Sequence, residues 1–224
     1  MLKVLSTKLL GQNLIDSARD MDMILTCVEF IKTKGQDFDI PTAKYDAIVF
    51  TSSNGVKGFF EKENASNRLG IKIFAQSGKT KNELAKHNIE PMAVAGDAEA
   101  LAEVIIAFGN ISSVLHICGN LKLDTLGQKL KARSIAYSPL IVYETTLSGT
   151  KITEDYDVVM FYSPSGVESF LSENKLNRDT LYCCIGDTTA AKLRKADGNA
   201  TIIVSSAPTA EAMLFTIKNF EIKS

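Results

Sequence analysis

Short hydrophobic runs recur along the chain, and most are followed by stretches whose apolar positions return every three or four residues. The runs predict strands near residues 4–7, 23–30, 47–51, 71–75, 91–95, 114–118, 138–143, 158–162, 181–185 and 201–204. Helical spacing fills most of the intervals, as at 55–63, 98–108, 123–132, 164–173, 188–195 and 208–219. Strands alternating with short helices predict parallel sheets with helices on both faces. The polar stretches 32–44 and 147–156 are the expected crossing points between domains.

The pattern repeats. Residues 45–62, YDAIVFTSSNGVKGFFEK, align with 156–173, YDVVMFYSPSGVESFLSE, at an offset of 111. At nearly the same offset, 74–89 align with 183–198 and DAEALAEVI from Asp97 with TAEAMLFTI from Thr209. The opening residues 3–8 have a fainter partner in 113–118. Two related α/β units of about 110 residues therefore account for most of the chain.

Composition narrows the function classes. Apolar residues make up 45% and charged residues 23% of the 224 residues, which excludes intrinsic disorder. Lys and Arg number 25 against 26 for Asp and Glu, so no global basic field draws nucleic acid or an anionic membrane. The first residues lack a continuous apolar h-region, and the strongest apolar run, 101–109, is too short to cross a bilayer. A cytoplasmic protein is expected, and no coiled-coil seam is visible, so a monomer is expected too. Cys27, Cys118, Cys183 and Cys184 form no CxxC pair and read as buried thiols. With His87 and His116 the only histidines, a zinc site is not expected.

Each copy ends its strand in a hydroxyl cluster before a helix. The first reads Thr51, Ser52, Ser53, Asn54, Gly55; the second reads Tyr162, Ser163, Pro164, Ser165, Gly166. The next pair of turns carries Ser77, Gly78, Lys79 and Thr80 in one copy, and Gly186, Asp187, Thr188 and Thr189 in the other. Such turns lie at the carboxyl ends of parallel strands, where ligands bind and free helix amides favour an anion. The same residues are also good helix caps, and both readings stay open.

Sharper motifs fail. The Ser77–Thr80 turn lacks the leading glycine of a P-loop, since that position is Ile73. No GxGxxG follows a strand, and neither serine turn reads GxSxG. Asp46 and Asp157, equivalent residues before their strands, read as turn residues rather than an acid pair, and His116 as a core imidazole. No metal or nucleotide cofactor is called for.

FTSSNGV, the Cys118-Gly119-Asn120 turn, VYET at 142–145, FYSPSGVESF, IGDTTAAKL and APTAEAM occur in that order. Together they resemble the uroporphyrinogen-III synthase family over residues 3–217. Three departures stand out: Thr7-Lys8 where an arginine is usual, a short first helix region, and QSGKT where a Val-Gly pair is typical.

The resemblance implies an α/β fold of two similar domains, each a parallel sheet flanked by helices. A two-strand connection would join them, with a substrate cleft between. It implies one domain from 1–31 plus 146–224 and another from 32–145, which differs from the repeat boundaries unless the units pair in a circularly shifted way. The implied reaction closes hydroxymethylbilane, an octacarboxylate, to uroporphyrinogen III with loss of water and inversion of ring D, without a cofactor. No nucleic acid or membrane partner is implied. Because the substrate also closes spontaneously without inversion, positioning is the main task.

On that reading Ser52, Ser53, Asn54, Ser163, Ser165 and Gly166 are the substrate-binding candidates. Thr80, Thr188, Thr189, Gly119 and Asn120 form a second group. By its match to the VYxT motif, Tyr143 is the candidate to assist departure of the hydroxyl, or else a residue packing at a hinge. Lys79 and Lys122 are candidates to balance carboxylate charge. The alternatives are a two-domain sensor for a small carboxylate and a degenerate synthase without activity.

Overall fold

Every position of Ala47–Phe50 and of Val158–Phe161 is buried, as strands covered on both faces require. The computed structural model, which describes residues 1–62 and 71–220, places both at the centre of parallel sheets. Along the chain the elements begin with β1 (Leu2–Ser6), α1 (Gln12–Asp20), β2 (Met23–Cys27), β3 (Ile31–Gly35), β4 (Ala47–Phe50) and α2 (Ser53–Phe60). They continue with β5 (Lys72–Gln76), α3 (Lys79–Lys86), β6 (Ala93–Ala95), α4 (Ala98–Phe108), β7 (Ser113–Gly119) and α5 (Thr125–Ala132). The last are β8 (Ala136–Leu147), β9 (Val158–Phe161), α6 (Pro164–Glu173), β10 (Leu181–Cys184), α7 (Asp187–Ala196), β11 (Thr201–Val204) and α8 (Ala210–Asn219).

The chain divides into two compact units. One comprises Met1–Lys32 with Thr146–Ser224, and the other Thr33–Thr145. The first unit holds a sheet of order β11-β10-β9-β1-β2, and the other sheet has the order β3-β8-β7-β4-β5-β6. Matching β4 to β9, β5 to β10, β6 to β11, β7 to β1 and β8 to β2 makes the two orders the same, with β3 as an added edge strand that has no counterpart. The registers agree, with Ala47 opposite Val114 in one sheet and Val158 opposite Val4 in the other. The first β-α-β element thus completes the sheet of the last repeat, which is a circular shift of the duplication.

Alternate strand residues feed separate cores. In the continuous unit, Ala47 and Val49 pack with Leu101, Ile105, Leu126 and Leu130 of α4 and α5, whereas Ile48 and Phe50 pack with Val56, Phe59 and Leu84 of α2 and α3. In the other unit, Val158 and Met160 meet Met213 and Ile217 of α8, while Val159 and Phe161 meet Val167, Phe170 and Leu193 of α6 and α7. Asp46 and Asp157 sit at the amino ends of these sheets and clip neighbouring strands together. Asp46 accepts from the Ser112 and Ser113 amides (2.8 and 3.0 Å) and Asp157 from the Lys3 amide (2.7 Å). The Ser112 amide foremost, then the Ser113 hydroxyl (3.1 Å) and amide, hold the Asp46 carboxyl below its ordinary range.

Several boundaries differ from expectation. β3 lies partly in the polar stretch 32–44, where ladder pairing with β8 compensates for a sequence of one isoleucine, two lysines, a threonine and a glycine. β8 runs four residues past the expected 138–143 strand, to Leu147. β6 starts at Ala93, after Pro91, whose ring nitrogen has no hydrogen to donate. α8 starts at Ala210 rather than 208 because Thr209 caps it, accepting from the Ala212 amide at 3.1 Å. α2 starts at Ser53 rather than 55, and the expected helix end at residue 63 lies outside the described residues.

Candidate functional site

The hydroxyl turns of both copies lie at the carboxyl ends of their sheets, and each cap is formed in the same way. Ser52 (φ −150°, ψ 147°) accepts from the Gly55 amide at 3.0 Å, and Ser163 (φ −164°, ψ 158°) from the Gly166 amide at 3.0 Å. The capping reading is therefore correct for both serines, and the Gly166 amide is spent on the cap.

Beyond the cap the copies diverge. Ser52 Oγ lies 3.0 Å from the Tyr143 hydroxyl, whereas Ser163 Oγ lies 3.0 Å from Ser165 Oγ. Tyr143 comes to Ser52 through an irregularity in the β7–β8 ladder: Cys118 pairs with Ile141 but Gly119 with Tyr143. The extra residue brings the tyrosine ring over Gly119, where an added Cβ would lie 2.5 Å from ring carbons Cε2 and Cζ. Only glycine fits there. Asn120 then fastens β8, accepting from the Thr145 amide (2.8 Å) and donating to the Thr145 carbonyl (3.2 Å). Gly119 thus admits the Tyr143 ring, and Asn120 bonds the backbone two residues beyond that tyrosine. Burial pushes the Tyr143 phenol up, partly opposed by its bond to Ser52, so it stays protonated at neutral pH.

Thr51, beside Ser52, belongs to a second chain of contacts. Its Oγ1 is 2.8 Å from His116 Nε2, and His116 Nδ1 is 2.7 Å from the Tyr137 hydroxyl. The imidazole is 2% exposed, and burial, with Lys122 nearby, pulls its pKa down to about 4. It is the hydrogen-bonded core imidazole expected. Gln76, at the end of β5, ties the same turn to α4: with its amide oriented to satisfy both neighbours, it donates to the Thr51 carbonyl and accepts from the Ala98 amide (3.2 Å). Sequence reasoning missed Tyr137 and Gln76. Tyr137 reaches the imidazole from the neighbouring strand, two residues before Pro139, the ladder partner of His116, a register the sequence alone does not show.

The second pair of turns differs from the first in having no side-chain cap. Gly78 (φ 71°) precedes α3 and Gly186 (φ −176°) precedes α7. Thr80 and Thr189 are both buried in the first turns of these helices, and neither hydroxyl has a hydrogen-bond partner among the described residues. Thr188 and Lys79 are exposed, as is Asn54, while Ser53 is half-buried. Lys122 is committed to Asp124 at 2.7 Å.

Two cavities lie away from these turns. One of about 400 Å³ touches Leu5, Tyr156, Val159 and Thr180, and one of about 500 Å³ touches Leu115, Tyr45, Ile48 and Ile71. These are repeat-equivalent gaps at the amino ends of the two sheets, opposite the hydroxyl turns. All four cysteines are free, and burial pushes Cys118 up to about 11 and Cys183 and Cys184 to about 12, so these three are packing thiols. No helix among the described residues is long and apolar enough to cross a membrane.

A family model described as uroporphyrinogen-III synthase HemD matches residues 24–214. The crystal structure of uroporphyrinogen-III synthetase from Helicobacter pylori superposes with a TM-score of 0.68 at 19% identity, covering 97% of this chain and 98% of that one. A mutant uroporphyrinogen III synthase from the extremely thermophilic bacterium Thermus thermophilus superposes with a TM-score of 0.71 at 18% identity, again over 97% and 98%. At such identities these likenesses concern the fold. None of the curated proteins matches the chain.

Proposed function

Because the chain belongs to the uroporphyrinogen-III synthase family, an enzyme family of lyases, we propose that it closes hydroxymethylbilane to uroporphyrinogen III using the hydroxyl turns described above. The family reaction removes the hydroxyl of the terminal carbon as water and leaves an azafulvene cation. The electron pair of the substituted ring D carbon then forms the new carbon–carbon bond, and the resulting spiro centre rearranges with loss of a proton.

Tyr143 is the catalytic residue of this reading. A protonated phenol donates a hydrogen bond to the departing hydroxyl, and the Ser52 hydroxyl fixes its direction. A phenol whose pKa is raised is a poor proton donor, so its contribution is one of orientation more than of acidity. Thr80 and Thr189, with the uncapped amide ends of α3 and α7, receive carboxylates of the substrate. Ser53, Asn54, Ser165 and Thr188 supply further donors. No cofactor takes part in this scheme, and the substrate is the only partner it requires.

The observation that supports this reading best is the Ser52–Tyr143 contact over Gly119, which one copy of the duplication has and the other lacks. A coupled assay tests it. Porphobilinogen and the deaminase that precedes this step supply the bilane, and the isomers are resolved after oxidation. Type III product above the spontaneous background is expected; type I alone overturns the proposal.

A further inference from the structure

Tyr137, His116 and Thr51 form two hydrogen bonds but carry three protons: one on the phenol, one on the neutral imidazole and one on the threonine hydroxyl. One proton is therefore left over at an end of the chain. If Nδ1 carries the ring proton, the phenol proton is the surplus one, and the Tyr137 hydroxyl has no second hydrogen-bond partner among the described residues. If Nε2 carries it, the phenol donates to Nδ1, the ring donates to Thr51 Oγ1, and the surplus proton is on Thr51. A phenol is a far stronger donor than an alkyl hydroxyl, so leaving the threonine proton unspent costs less. Both arrangements run one way along the chain, so cooperativity does not choose between them and donor strength decides.

Thr51 is where such a proton is useful. It is half-buried at the carboxyl end of β4, next to Ser52, whose own hydroxyl is already engaged by the Gly55 amide and Tyr143. The other copy has no counterpart. There Ser6 replaces the imidazole and sends its proton to the Lys8 carbonyl at 2.6 Å, and Tyr162 replaces Thr51.

We infer that Thr51 is a further substrate-binding donor for a carboxylate, aimed by His116 and Tyr137, which act as positioning residues. This rests on the reading of that turn as a substrate face. In the full-length protein labelled with ¹⁵N-histidine, His116 is expected to show the Nε2–H pattern, assigned by its survival in His87→Asn. An Nδ1–H pattern overturns the inference. Thr51→Val is expected to raise KM for hydroxymethylbilane roughly five- to tenfold with kcat little changed, and Thr51→Ser to restore it. An unchanged KM in Thr51→Val, at unchanged melting temperature, overturns it as well. A wild-type protein giving only type I product defeats the proposed cyclase instead, and the tautomer still decides how Thr51 is oriented.

Discussion

The Ser169 hydroxyl donates to the carbonyl of Phe30 in one unit, at the repeat position where Gly58 presses against the carbonyl of Val142 in the other. An added Cβ on Gly58 would lie 2.9 Å from the Val142 oxygen, so that helix approaches its strand with no side chain at all. Ser169 is fully buried and also accepts from the Gly149 amide at 3.1 Å. Ser169→Ala leaves the half-buried Gly149 amide without its partner and the Phe30 carbonyl with only the Ser148 amide (2.9 Å). Its unfolding free energy, read by urea titration, is expected to drop by about 1–3 kcal/mol with isomer selectivity retained.

Tyr143→Phe keeps the ring on Gly119 and removes only the hydroxyl. Turnover is expected to slow by roughly tenfold or more, with the unfolding midpoint unchanged. Full activity in a stable Tyr143→Phe protein removes the phenol from the chemical step. Gly119→Ala expels the ring by the close contact described above, and its turnover is expected to fall at least as far as that of Tyr143→Phe.

The two capping serines separate stability from chemistry. Loss of either cap costs about 1 kcal/mol. Ser52→Ala also releases the Tyr143 hydroxyl, so its turnover falls beyond what the stability change accounts for, whereas Ser163→Ala is expected to change stability far more than kcat. Equal kinetic effects from the two substitutions, measured in the isomer assay, contradict the one-sided role assigned to Ser52.

Acid should expose His116. Its pKa is about 4 in the folded chain against an ordinary 6.5, so the unfolded chain binds the proton first as pH falls. The stabilisation is complete above pH 6.5 and is lost progressively as pH drops towards 4. The ring faces Tyr137 and Thr51, and Lys122 adds a repulsive charge to the cost of protonation. Urea titrations at about pH 7, 5.5 and 4.5 are expected to show a shallower decline for His116→Gln than for the wild type. Identical slopes argue against a buried neutral imidazole.

The duplication was legible because both copies keep the same residues where strand becomes helix, and hydroxyls before a helix announce a cap. What those hydroxyls do afterwards was not legible. Ser52 and Ser163 look alike in sequence, and only the irregularity after Cys118 delivers a phenol to the first and not the second. Gly119 and Asn120 became candidates through the Cys-Gly-Asn turn of the family resemblance, and only the structure shows that one admits the Tyr143 ring and the other bonds the Thr145 backbone. β3 escaped notice because its lysines and threonine are exposed, leaving no apolar run to detect.

The circular shift dictates an order of events during synthesis. β4, β5 and β7 can close their sheet as soon as β8 has left the ribosome, since all its members are contiguous in the chain. β1 and β2 are made first but must wait for β9, more than a hundred residues later, to gain their inner neighbour. Until then the nascent chain carries an open-edged pair of hydrophobic strands as well as a folded unit, so premature termination after β8 but before the last repeat yields one sound unit and one sticky remnant.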